Sequence, residues 1–147
     1  MINILYETKS KSRMQASLFK KRVIHAMQLL DLNDTVVTIK ICDDEEMTEL
    51  NKHYRGIDHT TDVLSFNMNY EDPGLDQMVL GDIIISLPTA IQQAEENDHA
   101  IEDEMTFLAI HGLLHLMGYD HASQDEEHAM FALQNSIYTQ VLSGNDD

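Results

Sequence analysis

His111-Gly112-Leu113-Leu114-His115-Leu116-Met117-Gly118-Tyr119-Asp120-His121 is the stretch on which the reading of this 147-residue chain turns. His111 and His115 stand four residues apart, a spacing that on an α-helix puts both on one face, about 6 Å apart along the axis. Two imidazoles so placed can reach one metal ion. A helix continued from His111 to His121 would carry the latter about 15 Å along the axis and onto another face. The helix must therefore end between His115 and His121, and Gly118 is where a glycine would take the left-handed conformation that commonly ends helices. The chain can then fold back and offer His121 as a third ligand. Three neutral imidazoles and one water make the open tetrahedral site of a catalytic zinc. Zinc is the default because it accepts three nitrogens and needs no redox partner; nickel, copper and iron also suit this ligand type. Three unrelated core or surface histidines would not explain the shared face, the helix-ending glycine and the third histidine together.

The spacing His-x-x-x-His-x-x-Gly-x-x-His is that of the long zinc-protease motif, so the segment reads as a zincin-like metal helix. Those proteases place a glutamate after the first histidine as general base, and here that position is Gly112. A glycine inside a helix costs roughly 1 kcal/mol relative to alanine. Gly112 thus removes the base and weakens the helix, and close approach of another backbone or of a substrate would account for it. The departure argues against peptide hydrolysis by the usual route.

Outward from this stretch, the chain reads as four strands and five helices. Ile2 to Tyr6 is a short strand, and Met14 to Leu30 is an amphipathic helix with Phe19, Val23, Met27 and Leu30 at helical spacing. Thr35 to Cys42 alternates, with Val37, Ile39 and Ile41 on one face, as a strand does. Asp43 with Glu46 resembles a capping box that starts a helix carrying Met47, Leu50 and Tyr54. Thr61 to Asn67 is a third strand, and Asp72-Pro73-Gly74 marks a turn in a longer loop. Val79 to Ile85 is a fourth strand, whose run Ile83-Ile84-Ile85 implies burial on both faces. Ser86 and Pro88 open a helix to about Asn97. The metal helix spans about Ala100 to Met117, with Glu102, Asp103 and Glu104 in its first turn, where the helix dipole favours anions. Beyond them it is apolar nearly all round, which makes it central. Ser123 with Glu126 is a second capping box and starts a last helix to about Leu142, followed by a tail from Gly144 to Asp147 that should fray. The expectation is an α+β fold, with a mixed, roughly four-stranded sheet packed with about five helices in one domain, 1–147.

The net charge of -17 is unevenly spread. All nine lysines and arginines fall at or before Arg55, where eight acids accompany them; residues 56–147 carry no basic group and the remaining 18 acids. Lys9, Lys11, Arg13, Lys20, Lys21 and Arg22 cluster with no acid among them. On a body that repels nucleic acid at long range, an RNA contact would use this patch and the metal; the alternative is a solvated helix face. Cys42 is the only cysteine, so no intrachain disulfide forms, which fits a reducing compartment. Met1 to Gln15 holds no long apolar segment, and no run of about 18 apolar residues occurs. The expectation is a cytoplasmic protein with neither signal peptide nor membrane span.

A second functional stretch surrounds Arg55, the last basic residue, in Tyr54-Arg55-Gly56-Ile57-Asp58. If the fold brings it to the metal, its planar guanidinium can clamp an anionic oxygen bidentately; read alone, it could equally cap its own helix. It does not stand alone. Leu50-Asn51-x-x-Tyr54-Arg55-x-x-Asp58-x-x-Thr61-Asp62-Val63-Leu64-Ser65-Phe66, then Leu80-Gly81-Asp82-Ile83, then the three-histidine stretch, resembles the YbeY family of bacterial endoribonucleases. Thr60 and Asn67 stand where prolines are common in that family; neither is a proposed ligand. The resemblance implies a mixed sheet with helices, zinc on His111, His115 and His121, and cleavage of single-stranded RNA. It implies work in ribosomal RNA processing, at the 3′ end of small-subunit rRNA, and in ribosome quality control. It also implies partners such as an Era-type GTPase and small-subunit ribosomal proteins. Arg55 matches the family's key arginine, so Arg55 and His111 are the candidate catalytic residues. Asp82 and Asp120 are candidates for a distant base or for support behind a histidine. The rival readings are a metalloprotease-like hydrolase and a ribosome-assembly factor with a purely structural zinc.

Overall fold

The alternation of Val37, Ile39 and Ile41 finds its place in the centre of a sheet, where all three are fully buried. The computed structural model of the protein describes residues 1–9, 14–74 and 76–144. In chain order the elements are β1 (Ile2–Glu7), α1 (Ala16–Leu29), β2 (Thr35–Cys42), α2 (Asp44–Arg55), β3 (Val63–Asp72), β4 (Gln77–Ser86), α3 (Leu87–Glu96), α4 (Ile101–Leu116) and α5 (Gln124–Ser143). The four strands form one sheet in the order β1-β2-β4-β3. β1 with β2 and β2 with β4 run parallel, while β3 runs antiparallel to β4. The expected α+β fold, with its mixed four-stranded sheet and five helices, is the fold found.

α4 is the hub. It packs against β3, β4, α1, α3 and α5. Met105, Leu108, Ala109, Ile110, Leu113, Leu114 and Leu116 are all buried on it. Each fully buried leucine or isoleucine contributes about 1.5–3 kcal/mol relative to its exposed state. The triple isoleucine of β4 also behaves as its pattern implied. Ile83 and Ile85 join the main core beneath α4, and Ile84 joins a second cluster with Cys42, Met47 and Leu64 on the other face.

Three local readings need correction. Asp72-Pro73-Gly74 lies in the tight connection of a hairpin, not in a longer loop, because the β3–β4 ladder continues out to the pair Asp72 and Gln77. The outer arms carry polar residues with no apolar alternation to reveal them, and Gly74 N–H donates to Asp72 Oδ1 at 2.8 Å to close the turn. Asp43 does occupy the N-cap of α2, but its side chain accepts no bond from that helix. Instead it accepts from the Thr8 hydroxyl and from Lys9 N–H, the latter at 2.8 Å, and so ties down the end of β1. Glu46, its expected partner, pairs with Lys40. Finally, Gly112 answers to neither a backbone nor a substrate. A Cβ built there would lie 2.7 Å from Ile83 Cγ2 and 3.0 Å from two more carbons of the same side chain. The glycine lets α4 settle onto β4. The Ser123 cap stands as read, its hydroxyl accepting from Glu126 N–H at 3.1 Å.

Position 112 therefore predicts its own mutant behaviour. Alanine should gain roughly 1 kcal/mol of helix propensity and lose about 1–3 kcal/mol to overpacking against Ile83. Urea unfolding of Gly112→Ala should show a net loss of about 1 kcal/mol. Ile83→Ala should cost less in the Gly112→Ala background than alone, since the two changes share one space. Strictly additive losses would show that Ile83 is not what limits this position.

Candidate metal centre

α4 carries His111 and His115 on its last two turns, on the side where β3 forms the sheet edge. The helix then stops in two hydrogen bonds: Gly118 N–H to His115 O and Tyr119 N–H to Leu114 O, both 3.0 Å. This is a Schellman end, and it places Gly118 in the left-handed region at φ 102°. The chain turns back, Asp120 Oδ1 accepts from His121 N–H at 2.7 Å, and the Ser123 cap starts α5. The turn brings the His121 ring 5.0 Å from that of His115 and 5.5 Å from that of His111.

One ligand atom from each histidine lies within 4.8 Å of the others. His111 Nε2 and His115 Nε2 are 3.1 Å apart. Two nitrogens bound at about 2.0–2.1 Å to one tetrahedral zinc stand about 3.3 Å apart, so the donor set fits such an ion. The surroundings favour the ligand form. Burial pushes the His115 imidazole below its ordinary pKa, the neighbouring His111 and His121 add to this, and Asp120 and a hydrogen bond with the Tyr119 backbone oppose it. The result is a neutral ring with a lone pair to give.

Gln134 completes the arrangement, and the sequence reading passed over it. Its Oε1 lies 3.1 Å from His111 Nδ1. An amide oxygen can only accept, so the ring proton sits on Nδ1 and Nε2 is left to face the metal. Gln134 is 1% exposed and its own Nε2 has no partner among the described residues. The signal was present: Gln134 interrupts the buried face of α5, where Met130, Ile137 and Val141 hold the other positions. A polar residue in such a stripe needs a partner. Behind His121, Glu127 Oε2 lies 4.0 Å from Nδ1 and Phe131 packs against the ring.

The histidines open into a cleft of about 590 Å³ that Arg55, Asp62, Ser65, Asn67, Tyr119 and Asp120 also line. Arg55 lines the same cleft as the three histidines. Ser65 and Asn67 donate to the carbonyls of Gly112 and Leu116, each at 3.3 Å, and hold β3 against α4. Asp62 uses Oδ1 for Val63 N–H at 2.7 Å and Oδ2 for the Gln93 amide at 3.3 Å. The two carboxylates proposed from sequence part company. Asp120 lines the cleft, whereas Asp82 does not. On β4, Asp82 shares its face with Ile84 and the second cluster, while the intervening Ile83 meets α4. Burial raises the pKa of the Asp82 carboxyl.

The described members of the basic cluster do not line the cleft. Lys20 and Lys21 are exposed on α1. Arg22 Nη1 donates to Asp103 Oδ1 at 2.8 Å and so is committed to the first turn of α4. That turn lies about 18 Å from His115 along the helix. Lys9 borders an acidic crevice with Glu7, Asp43, Asp44, Glu45 and Glu46. Lys11 and Arg13 lie outside the described residues.

Gln134→Leu, which keeps much of the volume but removes the acceptor, should weaken metal affinity by about 10–100-fold, as loss of such a hydrogen bond behind a ligand commonly does. Chelator competition on the refolded, folded-state-verified variant reads this directly. An affinity equal to wild type would leave Gln134 with no part in holding His111.

Comparison with known proteins agrees with this geometry. A family model described as Endoribonuclease YbeY matches residues 3–142. A protein of Bacillus cereus named Endoribonuclease YbeY is 39% identical over 145 residues, covering 93% of each chain. One of the same name from Heliobacterium modesticaldum is 45% identical over 116 residues, covering 72% of this chain and 69% of its own. A solution structure of a Thermotoga maritima protein superposes with a TM-score of 0.66 at 30% identity, covering 96% of this chain and 89% of the other. A family match over nearly the whole length, on a chain whose three histidines close around one point, leaves a single assignment: this protein belongs to the YbeY endoribonuclease family.

Proposed function

We propose that the protein is a zinc-dependent endoribonuclease that cuts single-stranded ribosomal RNA. The observation that carries this reading is the meeting of three metal-binding histidines and Arg55 in one cleft. Among the described residues three ligand side chains converge there, not four, which supports an open, catalytic site over a structural one. The metalloprotease reading is opposed by Gly112: a glutamate in its place would start from a Cβ driven against Ile83.

When bound, zinc supplies Lewis acidity, which polarises a phosphoryl oxygen and acidifies water. The chain's own groups do the rest. His111 presents Nε2 because Gln134 holds its other nitrogen. Arg55 grips phosphate oxygens through its planar fork and offsets the charge that builds on them in the transition state. Of the cleft's two carboxylates, Asp62 already accepts on both oxygens, and Asp120, with one oxygen accepting from His121 N–H, would take the proton. The family relationship supports a role in processing the 3′ end of small-subunit rRNA and in ribosome quality control. It also supports partnership with an Era-type GTPase and small-subunit ribosomal proteins. A ribosomal substrate would place the protein in the cytoplasm. Two features accord with that site of action. No helix among the described residues is long and apolar enough to cross a membrane. Cys42 is buried, with its thiol pushed up to about 12 chiefly by that burial.

Purified protein offered a small-subunit rRNA fragment and casein should cut the RNA and leave casein intact. A chelator should abolish cleavage and added zinc restore it, and His115→Ala should lose bound metal by elemental analysis. Cleavage of casein, or chelator-resistant cleavage of RNA, would overturn the proposal. A second outcome isolates Arg55. Arg55→Ala should slow single-turnover cleavage by about 10²–10³-fold, the loss typical of removing one preorganised donor. Arg55→Lys should recover little, because lysine lacks the fork. Both variants should keep their zinc; near-normal rates would remove Arg55 from the mechanism.

A further inference from the structure

The charge distribution poses a problem for any RNA bound at the cleft. Residues 56–147 carry 18 acids and no basic group, and of the described basic residues only Arg55 lines the cleft. A strand held there only by its phosphates would face net repulsion. Bases are uncharged, however, and an aromatic ring stacks on them whatever the protein's net charge.

Such a ring stands beside Arg55. Tyr54, its neighbour on α2, is 60% exposed, a large share for a tyrosine not at a chain end. It is nonetheless held. The Phe66 ring lies 4.9 Å away at 60°, and the His53 ring meets it edge-on at 4.6 Å and 89°. Phe66, on the edge strand β3, faces away from Ser65 and Asn67 and packs with the second cluster, whose Leu64 lines the cleft. Further along β3, Met68 and Tyr70 are also exposed, at 44% and 51%. Through Leu64 and Arg55, which line the cleft, the Tyr54–Phe66 pair is joined to it around the open edge of the sheet.

We propose that Tyr54, braced by Phe66 and His53, is a stacking platform for an unpaired RNA base next to the phosphate that Arg55 grips. The inference rests on the endoribonuclease reading above and adds to it the source of single-strand preference. A base can lie on an exposed ring only when it has left its own helix, and paired bases are not free to do so. The arrangement also explains how an acidic protein holds RNA with one cationic side chain beside the metal: stacking adds affinity and Arg55 sets orientation.

The test is steady-state cleavage of a short single-stranded ribosomal RNA fragment by the zinc-loaded protein. Tyr54→Ala should raise KM by about 5–150-fold, the loss expected for one stacked base, with kcat largely unchanged. Tyr54→Phe should behave as wild type, because the ring does the stacking. The salt dependence of binding should keep its slope in Tyr54→Ala and lose about 0.7 in Arg55→Ala, as for one phosphate contact on a single strand. Tyr54 is exposed, so its variants should fold, which zinc content verifies. Wild-type KM in Tyr54→Ala, a loss confined to kcat, or a Tyr54→Phe variant as weak as alanine would each overturn the platform. So would a wild type that self-associates through Tyr54 with no effect on RNA. Each leaves the endoribonuclease reading standing; that reading fails on its own grounds, as when the wild type cuts no RNA.

Discussion

The left-handed turn at Gly118 is the constraint on which the site depends. α4 is buried on nearly every side, so it cannot bend or slide to improve ligand geometry, and the metal site must be met where the helix runs out. The Schellman bonds at Gly118 and Tyr119 end it at Leu116, with Met117 as the cap. His121 then returns to within 5.5 Å of the His111 ring. A further turn of helix would carry His121 away, and an earlier stop would strip His115 of its support. Burial enforces this, because each apolar face of α4 is already matched to a neighbour and packed interiors deform little.

That rigidity is why so much could be read from the residues. Alternation in β2, the double-sided burial of β4 and the all-round apolar surface of α4 are periodic signals, and each found its element. What escaped was information that periodicity does not hold. In Asp82-Ile83-Ile84-Ile85 both faces are apolar, so the pattern cannot say which face receives α4, and Asp82 went to the other one. Asp43 has the right type and place for a cap, but Thr8 and Lys9, distant in sequence, claim its carboxylate. The outer arms of the β3–β4 hairpin are held by backbone pairing and carry no side-chain signature. Gln134 was legible in principle, as one amide among Met130, Ile137 and Val141, though only the fold shows that His111 is what it meets.

The cationic cluster shows a different limit. Sequence counts charges without their partners, and Arg22 is already committed to Asp103. Among the described residues, Arg22, Lys40 and Lys52 stand in ion pairs, Lys9 borders an acidic crevice, and Lys20 and Lys21 are exposed on α1. Arg55 is the described exception that reaches the metal site. No other described lysine or arginine lines the cleft.

The two halves of the site are anchored by different chemistry. The histidines are placed by the end of α4 and the turn that follows it. The Arg55 end depends on a carboxylate staying charged: Asp44 accepts from the hydroxyls of Ser86, Thr89 and Thr60, the last two at 2.7 and 3.1 Å. This joins the first turn of α2 to the cap of α3 and to the loop after Arg55, while Asn51 donates to His59 O at 2.9 Å along the same loop. Burial opposes the charge on Asp44, but the three hydroxyls outweigh it and hold its pKa below the ordinary carboxylate value. A carboxylate depressed in the fold contributes stability above its unfolded pKa and loses it only as pH falls through the folded one. The loop beside Arg55 therefore stays tied to Asp44 until the pH falls below the ordinary carboxylate range.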